Sequence, residues 1–145
     1  MRRMFVLAAA LLTGSVCIAQ NSHKFPDYAG TWQANFHGKP FMTLKLLEKD
    51  GKLTGTVSHG NIEADPNGDL TKAEAAPGES EVVESRLLAL GDLELKTRDQ
   101  DSDDLTTIVF KLSDEKTGSI RFVIPEGEGV PKIKPFKVEK VESKS

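Results

Sequence analysis

Gly30-Thr31-Trp32-Gln33-Ala34-Asn35-Phe36 places Trp32, Ala34 and Phe36 on one face and Thr31, Gln33 and Asn35 on the other. Strict alternation of this kind is the mark of a half-buried strand, because successive side chains in a strand point to opposite sides. His37-Gly38-Lys39-Pro40 reads as a turn, after which Met42, Leu44 and Leu46 alternate with Phe41, Thr43 and Lys45. Asp50-Gly51 is a favoured tight-hairpin pair, since both residues tolerate the positive φ that such a turn requires. It leads into Leu53, Gly55 and Val57, alternating with Thr54, Thr56 and Ser58. Three strands in meander order follow from this stretch alone.

The same period continues outward. Asn61–Asp65 and Asp69–Ala73 flank Asn67-Gly68 and read as a short hairpin. Ala73–Glu84 reads as a loop or a helical turn, with Pro77-Gly78 favouring the loop. Strands are then predicted over Arg86–Leu90, Leu93–Arg98 after a Gly91-Asp92 turn, and Leu105–Leu112. Ile120, Phe122 and Ile124 alternate after a Thr117-Gly118 turn, Pro125–Pro131 is a Gly/Pro loop, and Ile133–Val141 is a last strand. Pro135 lacks a ladder donor and belongs at an edge or bulge. The reading is all-β: one small antiparallel up-and-down barrel of about 8–10 strands, with a sandwich as the alternative.

Composition fits one such domain. The chain has 145 residues, 28% of them charged, and a net charge of −3. That balance argues against wholesale disorder, and an acidic chain makes a broad nucleic-acid surface a poor expectation. Its one cysteine excludes a disulfide framework and a cysteine zinc site.

The N-terminus carries an address. Arg2 and Arg3 precede the apolar run Phe5–Leu12, and Cys17-Ile18-Ala19 offers small residues before a cut after Ala19. This is the pattern of a signal peptide over residues 1–19, and its apolar run is too short for a stable membrane anchor. The expectation is export to the periplasm or the medium, with no membrane span after cleavage. A lipoprotein signal at Cys17 fits less well, because Gly14 and Val16 stand where a large aliphatic and a small residue are usual. Cleavage takes Lys+Arg from 19 to 17 against 22 Asp+Glu, giving −5, and removes the only thiol. The barrel is assigned to residues 20–141 and a frayed end to 142–145.

Gly30-Thr31-Trp32 followed by Leu53-Thr54-Gly55-Thr56 resembles the calycin group, the lipocalins and avidins, over Tyr28–His59. The resemblance implies a lipocalin-like barrel in which Gly30, Trp32, Leu53 and Gly55 are structural. It looks most like small exported bacterial proteins without an assigned activity. Trp32 is the only tryptophan, so the aromatic walls of an avidin-type biotin site are missing. Lipocalins often pack a late arginine across the first-strand tryptophan; here the last arginine is Arg121, and the final strand carries only lysines. A large indole closing a barrel end makes sense without a ligand, with its N–H reaching a loop carbonyl.

Candidate chemistry is sparse. Asp99, Asp101, Asp103 and Asp104 could offer oxygen ligands, but counting from Asp99, the sixth and twelfth places of an EF-hand loop hold Asp104 and Phe110. Asp65-Pro66-Asn67-Gly68-Asp69 also misplaces its glycine, and both segments read as solvated loops. His23, His37 and His59 lack zinc-motif spacing, although neighbouring loops could bring His37 and His59 toward Glu63 or Asp65. Ser58 and His59 are adjacent in a strand and point apart. Glu126 and Glu128 flank Gly127 in a loop with nothing to separate their pKa values. No enzyme, no cofactor and no metal site is therefore expected.

The predicted inner faces contain no titratable group, and Phe36, Met42, Leu44, Phe110 and Phe122 are the candidate residues lining a ligand cavity. Two functions follow. In one, a small apolar ligand sits in the barrel mouth; in the other, a filled barrel acts as a non-catalytic structural or interaction module.

Overall fold

The computed structural model describes residues 23–100, 102–123 and 132–142. The N-terminal stretch read as a signal peptide, Asp101, the predicted Gly/Pro loop with Glu126 and Glu128, and the last three residues lie outside them. A one-turn helix α1 (Phe25–Tyr28) leads into β1 (Gly30–Phe36), β2 (Lys39–Lys49) and β3 (Lys52–His59). A short hairpin follows, β4 (Ile62–Ala64) and β5 (Leu70–Ala73). Then come β6 (Ser80–Leu87), β7 (Leu93–Arg98), β8 (Leu105–Leu112), β9 (Thr117–Val123) and β10 (Phe136–Val141). Eight of these strands close an antiparallel up-and-down barrel in the order β1-β10-β9-β8-β7-β6-β3-β2, and β4–β5 stands apart as a two-stranded sheet.

The tight turns form where the sequence permits them. His37 and Gly38 have φ of 54° and 81°, and Asp50 and Gly51 have 54° and 79°. Positive φ at both central residues matches the right-handed twist of the flanking strands. Gly55 is also at positive φ (143°), and a Cβ there would lie 1.8 Å from the Lys45 carbonyl oxygen. Only glycine lets β3 approach β2 so closely.

Met42, Leu44 and Leu46 share the interior with Ile108, Phe110 and Leu112, and all six are buried. Eight strands leave an interior that side chains can fill. Here Trp32, Tyr28, Phe41, Phe110 and Met42 are the largest fully buried side chains.

The structure corrects the sequence reading at four places. Alternation places Phe41 on the outer face, yet it is buried beside Met42. A bulge opposite Ala34/Asn35 makes Phe41 the extra residue, so two consecutive side chains turn inward. β6 begins at Ser80 rather than near Glu84, because a register shift between Val82 and Glu84 breaks the alternation. Thr117-Gly118 lies in β9, and the turn before it is held by Asp114, whose carboxylate accepts the N–H groups of Lys116 and Thr117 at 2.8 and 2.9 Å. Finally, β10 starts at Phe136, which leaves Pro135 outside the ladder.

Candidate functional site

The two ends of the barrel are closed by different means. At the end where β1 begins, Trp32 Nε1 donates to the Tyr28 carbonyl at 2.9 Å, and the Tyr28 hydroxyl donates to the Gly91 carbonyl at 2.6 Å. Both rings meet Phe110 edge-on, with centroids 4.9 Å away for Trp32 and 5.1 Å for Tyr28. Edge-to-face contacts favour the ring quadrupoles, and both polar tips find partners. Burial pushes the Tyr28 hydroxyl pKa well above its usual value, and the nearby Asp92 and Asp27 carboxylates push it the same way.

Lys140 completes this end. Its ammonium sits 5.6 Å from the centroid of the Trp32 ring. Gly30, at φ 128°, leaves room for the lysine stem, since a Cβ there would lie 2.7 Å from Lys140 Cε. A final-strand lysine thus covers the indole face where the resemblance implies an arginine. Sequence reading passed over both Tyr28 and Lys140. The -Phe25-Pro26-Asp27-Tyr28- turn, with proline in its first turn, was the signal for the first.

The opposite end collects the turn after β1, the ends of β3 and β9, and the starts of β2, β6 and β10. Phe41 and Phe136 have ring centroids 5.2 Å apart, Phe136 and Phe122 5.9 Å, and Phe122 and His59 5.6 Å. The β4–β5 hairpin leaves from β3 and returns to β6. Its tip reaches the segment before β10, where the Gly68 carbonyl accepts the Lys134 N–H at 2.9 Å. In the barrel order β10 is three strands from β3 one way and five the other. The hairpin therefore spans the mouth. Ile62, Leu70 and Ala73 pack on the core, while Glu63 and Lys72 are exposed.

The candidate lining residues divide between the ends and the middle. Met42, Leu44 and Phe110 are fully buried in the core; Phe36 and Phe122 are half-buried and pack against it. Gly30, Trp32, Leu53 and Gly55 all lie in the β1 and β3 wall, with Trp32 and Leu53 buried.

The titratable candidates do not converge. Asp65 accepts the N–H groups of Asn67 and Asp69 at 2.9 and 3.0 Å, so it organises the hairpin tip. Asp99 accepts the Ser80 hydroxyl. His23 lies 3.8 Å from Asp27, His37 stacks on Phe36, and His59 faces Phe122. Among the described residues no three His, Cys, Asp or Glu side chains are placed to hold a metal ion.

Among the described residues, depressions open to solvent at both ends of the barrel. One of about 870 Å³ lies over Gly30 and Thr31, flanked by Lys45, Leu47, Lys116 and Val141. The other, about 300 Å³, lies at the mouth rim between His59, Pro77–Ser80 and Asp99. Comparison of the chain with protein-family models, curated proteins and solved structures gives no match.

Proposed function

We propose that this chain is an exported, non-catalytic barrel whose interior is structural and whose outer surface makes its functional contacts. One observation supports this reading above others: side chains fill the barrel from the Trp32–Tyr28–Phe110 cluster through Leu44, Leu95 and Ile108, each at most 1% exposed. The polar groups among them are satisfied, and among the described residues no buried side-chain nitrogen or oxygen lacks a hydrogen-bond partner. A catalytic or polar-ligand site would break such an interior with convergent polar groups. Calycin-like ancestry agrees with the Gly-x-Trp start and the eight-stranded barrel. Fold alone does not decide function.

The test is titration with a saturated fatty acid, followed by the intrinsic emission of Trp32. A filled interior gives no saturable change. A change saturating at one molecule per chain would mean the interior opens to ligand.

A second reading, a small apolar ligand at the mouth, is favoured by one feature. Phe122 and Phe136 are only half-buried there, with their ring centroids 5.9 Å apart and His59 edge-on to Phe122.

A further inference from the structure

We propose that Asn67, at the tip of the β4–β5 hairpin, is a modification site. Its side-chain amide is lost by reaction with the backbone of the next residue, and the turn built around Asp65 sets the pace. The modification is independent of what the barrel binds.

Of Asn21, Asn35, Asn61 and Asn67, only Asn67 precedes glycine. Gly68 has no Cβ to shield its nitrogen, so that nitrogen can reach the neighbouring amide carbon. Asn67 is exposed, which gives water a way in and ammonia a way out. In the first step the Gly68 nitrogen bonds to Asn67 Cγ and the Cγ–Nδ2 bond breaks. The Gly68 amide proton leaves with Nδ2 as ammonia, and a five-membered succinimide remains. Water then opens the ring at one of its two carbonyls. Opening at Cγ restores the ordinary chain with an aspartate. Opening at the backbone carbonyl gives an isoaspartate, whose main chain runs through Cβ and Cγ. By either route one amide and one water become one carboxylic acid and one ammonia.

The fold holds this reaction back. Gly68 N–H donates to the Asp65 carbonyl at 2.9 Å, and ring closure removes the hydrogen that makes this bond. Asp65 Oδ1 also accepts the Asn67 and Asp69 N–H groups at 2.9 and 3.0 Å. One residue therefore pins the chain on both sides of the reacting peptide. On the far side, the Gly68 carbonyl accepts the Lys134 N–H at 2.9 Å. Asp65 cannot form the same ring, because Pro66 has no N–H. Reaction at Asn67 draws on local opening of the turn.

The product changes what the tip can hold. Gly68 sits at φ 92°, and a Cβ there would lie 2.7 Å from the Lys132 carbonyl oxygen, so the fit is close. An isoaspartate lengthens the main chain by one carbon directly before Gly68. Gly68 then cannot keep both its N–H bond to Asp65 and its carbonyl bond to Lys134. Conversion runs one way, so it releases the tip from the segment before β10 in aged molecules.

The test is incubation of the folded full chain in mildly alkaline buffer, followed by peptide mass spectrometry and labelling with an isoaspartyl methyltransferase. The peptide holding Asn67 should gain one mass unit and yield labelled isoaspartate, and Asn67→Ser should show neither at this position. Asp65→Ala should speed conversion by about tenfold, the worth of roughly one charge-assisted hydrogen bond. Unfolding the parent in guanidinium should speed it at least as much, which decides the matter if Asp65→Ala fails to fold. In the isoaspartate form the Lys134 amide should exchange faster with solvent, while Phe110 keeps its protection. Asn67→Asp, which adds the charge without lengthening the chain, should exchange like the parent at Lys134. No mass change at Asn67, or an aspartate product without isoaspartate, would overturn the site. Equal rates in the folded and unfolded chain would overturn the control by the turn. A Lys134 amide unchanged in the isoaspartate form would overturn the release.

Discussion

Lys140 lies over the indole of Trp32, its ammonium 5.6 Å from the ring centroid and its stem in the space that Gly30 leaves by having no side chain. Three residues from opposite ends of the chain thus form one contact. β1 and β10 are also neighbours in the barrel, with Trp32 opposite Lys140 in register. The contact helps close the barrel where its first and last strands meet.

Lys140→Ala should therefore destabilise the protein by about 0.5–1 kcal/mol, the range for a solvent-exposed cation–π pair. Gly30→Ala should cost about 1–2 kcal/mol, chiefly from positive φ. Part of that cost comes from the lysine stem, so it should shrink in the Lys140→Ala background. Urea unfolding of the two single variants and the double variant measures the coupling.

Gly55→Ala should be far more damaging. The added Cβ would meet backbone, the Lys45 carbonyl oxygen at 1.8 Å, and backbone cannot swing aside as a lysine stem can. Loss of the cooperative thermal transition, or a fall of several degrees or more in Tm, is expected by circular dichroism.

Tyr28 sets an alkaline limit on stability. Its folded-state pKa is raised, mainly by burial, so the native state holds the proton after the unfolded state has released it. The stabilisation is complete below about pH 10, the ordinary tyrosine pKa, and declines as pH rises from there toward the folded value. Tyr28→Phe should cost about 1–2 kcal/mol at neutral pH by removing the bond to the Gly91 carbonyl. It should also flatten the decline above pH 10. Urea midpoints at neutral and alkaline pH for both proteins check the sign.

Much of this architecture was legible in the residues. Alternation located β1, β2 and β3 because each has one wet and one dry face, and Asp50-Gly51 fixed their turn. Legibility failed where the period itself breaks. Phe41 turns inward because a bulge adds a residue, and no alternation rule marks which residue that is. The register shift in β6 put Val83 and Glu84 both in solvent, so that half-strand looked like loop. The ends were harder still. Trp32 was recognisable as a plug from its type and place, but its partners Tyr28, Gly91 and Lys140 are distant in sequence or stand outside any motif. The hairpin β4–β5 was readable as a hairpin; that it crosses the mouth to Lys134 follows only from the closed strand order.

Trp32→Ala removes the largest fully buried side chain and leaves a cavity against Phe110 and Tyr28. The expected loss is about 3–5 kcal/mol. For a domain with a total stability of about 5–15 kcal/mol, that leaves a marginal or unfolded protein. Thermal melts of the variant beside the parent measure it.

The central claim is a barrel filled and plugged from within, and acrylamide quenching of Trp32 fluorescence tests it most directly. Because the chain has a single tryptophan, the signal reports this one site. A buried Trp32 should show blue-shifted native emission that acrylamide quenches only weakly, with a red shift and full quenching when urea unfolds the chain. Native emission that is already solvent-like and quenched as readily as in urea would contradict the plug, the strand β1 built around it, and the filled interior together.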